Sequence, residues 1–223
     1  MNDDRSKSTI VTTDDPRRLS PIEAAIMDWC NLAHAARTRG DFAALEEIGA
    51  ELNALIRKYD ETDGDGHQNP AWARPNQRAL TLSARGRIEE AVDVEMIAAK
   101  YADTDRRKEV SFGNIADRLV RLDRPDEAIE WFLKAWDAAP TSVPVMMTGA
   151  RAFFDSDRLE EADNVFAALG GLDELLEPGT DLHAYLRHDD SLLDMAPHLP
   201  SLDALYRKLA SATDASSNEQ EAE

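Results

Sequence analysis

Three histidines, His183, His188 and His198, lie among Asp181, Asp189, Asp190 and Asp194. Imidazole and carboxylate together are a common ligand set for divalent metals. The intervals of five and ten residues do not bring the three rings to one helix face, and Pro197 and Pro200 interrupt the segment. A solvated acidic turn is therefore expected there. The stretch DETDGDG has the alternating acids of a calcium loop, with Asp63, Asp65 and Gly66 in place. Counted from Glu61, however, the twelfth position is Trp72, where calcium needs a bidentate glutamate. Cys30 stands beside Trp29 with no charged group placed to lower its pKa, so a small core residue is expected rather than a nucleophile. No catalytic residue, no metal and no cofactor is expected.

The elements that would position any site are helices. Ser20, Pro21 and Glu23 spell a capping box with proline in the first turn, and the helix they open stops near Gly40. The next segment sets Leu45, Ile48, Leu52, Leu55 and Ile56 on one stripe. Residues 60–71 are rich in glycine, proline and acids and read as a linker. From about Pro75 to Leu169 come helices of about 12–16 residues joined by short turns, with no alternating strand pattern. Leu202, Leu205, Tyr206 and Leu209 mark a last helix within a capping region, 177–210. Residues 1–19 are expected to form a disordered leader and 211–223 a disordered acidic tail.

Composition narrows the partners. The chain of 223 residues is 43% hydrophobic, enough for a core, and carries a net charge of −19. Phosphate backbones need clustered lysine and arginine, so neither nucleic acid nor an anionic membrane surface is expected. A single cysteine cannot form an intramolecular disulfide, which suits a reducing compartment. With neither an apolar leader segment nor a stretch of about 18 apolar residues, a cytoplasmic location is expected. Residues 155–194 hold twelve acids against Arg158 and Arg187, either a solvated face or a dock for a basic segment.

A repeat organises the middle of the chain. Ala116, Leu119, Ala128, Phe132 and Ala135 return as Ala150, Phe153, Ala162, Phe166 and Leu169 at a shift of 34. Ala79, Leu82, Ala91 and Ala98 precede their counterparts by 37, so three residues are inserted between those units. A turn signature recurs with them: Arg87 to Ala91, Arg124 to Ala128 and Arg158 to Ala162, each with an acid before the alanine. Small residues at fixed offsets let two antiparallel helices approach closely, as Ala116 and Ala128 would, while Phe132 and Leu119 fill the space against the next pair.

This pattern resembles the tetratricopeptide repeat, whose period is 34 residues. Phe112, Ile115, Ala116, Leu119, Ala128, Phe132, Ala135 and Pro140 occupy the signature positions of unit 109–142. Unit 143–176 keeps most of them but has Glu174 where the family prefers proline, and unit 72–105 departs with Arg78 and Glu95 at usually apolar positions. Residues 20–59 look like a degenerate hairpin around Gly40 and Ala44. The resemblance covers residues 72–176 and implies an all-α fold, with antiparallel helix pairs stacked as a right-handed superhelix, an α-solenoid.

It also implies a concave groove lined by the first helix of each unit. Its residues would be Asn76, Gln77 and Leu80, then Val110, Asn114, Asp117 and Arg121, then Met147, Arg151 and Phe154. Some family members clamp a terminal carboxylate there, but only Asn114 fits; Asn76, Pro144 and Thr148 stand where the resemblance calls for basic residues, so no clamp is expected. The expectation is a non-enzymatic adaptor or scaffold that holds a peptide or helix of a protein partner, itself a monomer or weak homo-oligomer. The alternatives are a self-assembling scaffold of the same repeats or a regulatory subunit of an enzyme complex.

Overall fold

Each hairpin of the repeat must reverse its chain within a few residues, and the backbone does so the same way four times. The computed structural model describes residues 20–61, 69–171, 173–177 and 179–220. The leader 1–19 lies outside them, as do Asp63, Asp65 and Gly66 of the acidic loop. Among the described residues every regular element is a helix, and none is long and apolar enough to cross a membrane. The chain divides into two units, Met1–Pro140 and Thr141–Glu223.

The first unit holds α1 (Pro21–Thr38), α2 (Phe42–Glu61), α3 (Pro70–Ala84), α4 (Ile88–Ala99), α5 (Asp105–Arg121) and α6 (Pro125–Ala138). The capping box opens α1 as expected: Glu23 N donates to Ser20 Oγ at 3.2 Å, and Ser20 N donates to Glu23 Oε2 at 3.0 Å. Helix α3 starts earlier than Pro75. Asn69 caps it by accepting from Trp72 N at 3.0 Å, with Pro70 next, so Pro75 lies inside the helix. The linker is correspondingly shorter than 60–71, since helix runs to Glu61 and resumes at Pro70.

Hairpins α1–α2, α3–α4 and α5–α6 close through one turn geometry. Gly40, Gly86 and Asp123 sit at φ 68°, 81° and 58°. The following amide reaches back five residues in each: Asp41 to Ala36 O, Arg87 to Leu82 O, and Arg124 to Leu119 O, at 2.9, 3.0 and 3.0 Å. This is the Schellman ending, in which a left-handed residue frees the chain to turn while satisfying a helix carbonyl. The arginine after the turn then bonds a glutamate three residues on, Arg87 to Glu90 and Arg124 to Glu127. In each glutamate that arginine bond is the main cause of a carboxyl pKa below its ordinary value.

The interior follows the repeat. Ala79, Ala91, Ala98, Ala116, Ala128 and Ala135 are all fully buried, as are Phe132, Ile115 and Leu119. A second cluster joins Ile26, Cys30, Ala33, Leu52, Ile56 and Tyr59 to Trp72 and Ala73, so residues 20–61 pack on the hairpin that follows. The half-buried tryptophans of α6 pack largely inside their own hairpin. Trp131 lies 5.6 Å from Phe112 of α5, and Trp136 stacks on Phe132 at 5.4 Å while its Nε1 donates to Pro140 O at 3.1 Å.

The second unit holds α7 (Val143–Asp155), α8 (Leu159–Gly170), α9 (Asp181–His188), α10 (Asp190–Met195) and α11 (Pro200–Gln220). Its hairpin repeats the turn, with Asp157 at φ 58° and Arg158 N bonded to Phe153 O at 2.9 Å. Helix α11 packs on α8 and buries Leu202, Leu205 and Leu209. Asp163 of α8 caps it, accepting from Ser201 N at 2.7 Å and Ser201 Oγ at 2.8 Å. Helix α11 spans Pro200–Gln220, and no glycine or proline interrupts the chain after Pro200.

Two changes test this geometry by urea denaturation. Gly86→Ala places a Cβ on a left-handed backbone and is expected to lower stability by about 1–2 kcal/mol. Ala128→Leu overfills a fully closed helix contact and is expected to cost about 1–3 kcal/mol.

Candidate functional site

The inner positions of the repeat separate into three groups once the helices are packed. Asn76, Gln77 and Leu80 are on α3, which packs against α1, α2, α4 and α5. All three are buried, with Asn76 at 0% and Gln77 at 1% exposure. They are interior rather than open to a groove, because a helix flanked by four others has no free face at these positions. Asn76 Nδ2 donates to Glu95 Oε1 at 2.9 Å, and Gln77 Nε2 donates to Glu23 Oε1 at 3.4 Å.

In the second unit Met147 is buried. Arg151 Nη2 donates to Asp189 Oδ2 at 2.9 Å and also to Ser191 Oγ. The Phe154 ring lies 5.8 Å from that of His198. These two inner side chains therefore engage residues of the chain's own 189–198 segment. The same contacts explain part of the acidic stretch, since Asp189 pairs an arginine, Asp163 caps a helix and Glu161 accepts from Arg158.

Val110, Asn114, Asp117 and Arg121 form the third group. Intervals of four, three and four keep them on one stripe of α5, while Ser111, Ile115, Arg118 and Leu119 turn inward. All four retain some exposure, and Val110 leans on the core of the preceding hairpins. Asp117 Oδ2 stands 3.7 Å from Arg121 Nη1, which also donates to Ser83 Oγ of α3 at 3.0 Å. Asn114 Nδ2 is shielded from solvent and meets no acceptor among the described residues. A shielded amide donor beside an accessible stripe is suited to a carbonyl brought by another chain.

What the repeat pattern marked only as a departure proves to be the polar centre of the first unit. Glu95, 0% exposed on α4, accepts at Oε1 from Asn76 and from Ser111 Oγ at 2.8 Å, and at Oε2 from Arg118 Nη1 at 2.9 Å. Ser111 Oγ accepts in turn from Trp72 Nε1 at 2.9 Å. Arg107 lies 5.7 Å from the Trp72 ring centroid and bonds Asp103. A smaller network sits beside it: Tyr59 OH donates to Glu23 Oε1 at 3.1 Å, so the carboxylate that caps α1 also ties down α2 and α3. A charge at an apolar position was the one signal for Glu95. Arg78, the other departure, is a surface residue paired with Asp60 at 2.6 Å.

Each of the two carboxylates is held by three fixed donors. Among the described residues no group of His, Cys, Asp or Glu could hold a metal ion. Burial pushes the Cys30 thiol up to about 12, which leaves almost no thiolate at neutral pH. No protein-family model matches this sequence, and no curated protein matches it.

Glu95→Ala strands Arg118 in the interior and is expected to cost about 3–5 kcal/mol in denaturant unfolding. Alkylation of Cys30 by iodoacetamide at about pH 8 is expected to be negligible in the folded chain and rapid in urea, read by mass spectrometry.

Proposed function

We propose that this chain is a non-enzymatic protein-interaction adaptor of tetratricopeptide type. In this reading α1 to α6 are three stacked hairpins of an α-solenoid, and the stripe Val110–Asn114–Asp117–Arg121 on α5 is where a partner's peptide or helix docks. The carrying observation is Asn114: its shielded Nδ2 meets no acceptor among the described residues, whereas the buried polar residues of the same helix, Arg107, Ser111 and Arg118, each hold at least one side-chain bond. A partner backbone carbonyl would complete it. The recurrent turn and its arginine–glutamate pair support the repeat assignment, because they recur at the hairpin positions where the sequence period places them.

The net charge of −19 favours a basic partner segment, with charge setting the rate and orientation of encounter and the stripe setting affinity. The lone, buried cysteine suits a cytoplasmic protein. The one thiol is sealed and protonated, and among the described residues the histidines of 183–198 gather no ligand set.

The test compares wild type with the triple variant Val110→Ser/Asn114→Ala/Asp117→Ala in affinity capture read by mass spectrometry. The leading candidate is then titrated calorimetrically. A partner bound by the wild type and weakened at least about tenfold by the variant, with unchanged melting temperature, supports the reading. Equal recovery of every partner by both proteins discards the α5 stripe. Raising the salt concentration should weaken a complex with a basic partner.

A further inference from the structure

In a chain with 44 acidic and 25 basic side chains, arginines have carboxylates within easy reach. Arg87, Arg118, Arg124 and Arg158 each pair with one at 2.9 Å or closer. Arg37 does not. At the end of α1 its Nη1 donates to the Ser83 carbonyl of α3 at 3.1 Å, and its Nη2 lies 3.3 Å from His34 Nδ1. No carboxylate pairs with it among the described residues. Arg121, at the end of α5, reaches the same residue and donates to Ser83 Oγ at 3.0 Å. Two guanidinium groups from different hairpins thus meet at one uncharged serine, and among the described residues one carboxylate, Asp117, pairs with them, 3.7 Å from Arg121.

Positive charge at the last turn of a helix is favourable, and that accounts for an arginine at each helix end. It does not account for two of them converging. Each guanidinium has five N–H donors, and the contacts to Ser83, His34 and Asp117 leave most of them unused. The Arg37 side chain packs on the turn, 3.6 Å from the place a Cβ of Gly86 would occupy. Burial holds Arg121 below its ordinary pKa; Asp117 opposes this, and Arg37 and Arg118 add to it. Arg118 is already neutralised by Glu95, so Asp117, at 3.7 Å from Arg121, is left as the carboxylate facing Arg37 and Arg121.

The geometry points to an oxyanion site at Arg37, Ser83 and Arg121 that takes a phosphate group, free or on a phosphorylated residue. A phosphate dianion would receive donors from two planar guanidinium forks and from the Ser83 hydroxyl, and would remove the like-charge contact that the protein alone maintains. The site rests on the first unit alone and shares Arg121 with the proposed docking stripe, but a small anion reads it with no protein partner present, so its test stands apart from that reading.

The full-length protein is titrated with inorganic phosphate at constant ionic strength set by chloride, by calorimetry and by thermal melting. Saturable single-site binding with a rising melting temperature is expected in the wild type. Arg37→Gln and Arg121→Gln should each weaken it at least about tenfold, whereas Arg158→Gln should leave it unchanged. Ser83→Asp puts a carboxylate between the two guanidinium groups; it should abolish phosphate binding while raising the melting temperature, which keeps the test readable if an arginine variant unfolds. Tighter binding of a phosphoserine peptide than of inorganic phosphate assigns the group to a phosphorylated polypeptide, and equal binding assigns it to free phosphate. No saturable response beyond chloride, equal responses in the arginine variants, or displacement of phosphate by acetate at equal concentration overturns the site.

Discussion

Glu95 is a carboxylate taken wholly out of water, and the first unit is organised by what that demands. An unpaired charge in such surroundings would cost several kcal/mol, roughly, even after relaxation. It is tolerated because three donors reach it from two neighbouring helices: Asn76 of α3, and Ser111 and Arg118 of α5. Each donor has a direction. An apolar helix contact can slide by a fraction of a turn at small loss, but a carboxylate that must meet an amide, a hydroxyl and a guanidinium cannot. The network therefore sets the register of α3, α4 and α5, and the fully buried alanines then allow those helices their close approach.

The all-helical class, the four hairpins and the closed alanine contacts were legible in the sequence because each depends on local spacing. A period of 34 with alanines in phase needs only neighbouring residues to be read. The left-handed turn was half legible: Gly40 and Gly86 announce it, whereas Asp123 and Asp157 adopt the same conformation with a side chain that tolerates it. The start of α3 was misplaced because Pro75 reads as a boundary, while the real cap, Asn69, sits six residues before it in a glycine-rich stretch.

The candidate surface was less legible, and the reason is packing. Helical phase puts Val110, Asn114, Asp117 and Arg121 on one stripe of α5. The same reasoning cannot see that α3 is enclosed by four other helices, which sends Asn76 and Gln77 inward, or that Asp189 and Ser191 engage Arg151. Likewise, Arg37 and Arg121 share no motif, and only the packed hairpins bring them both to Ser83. Long-range convergence is set by packing, and one repeat period does not encode it.

The contrast between near and distant bonds carries a kinetic consequence. Every hairpin closes through a backbone bond spanning five residues, which a chain can find within microseconds. The Glu95–Arg118 bond spans 23 residues and the Glu23–Gln77 bond 54, so each must wait for separate helices to collide. Refolding should thus run from transient hairpins to a locked assembly. The interior carboxylates make the last step selective, since a mis-registered collapse would trap a bare charge and reopen.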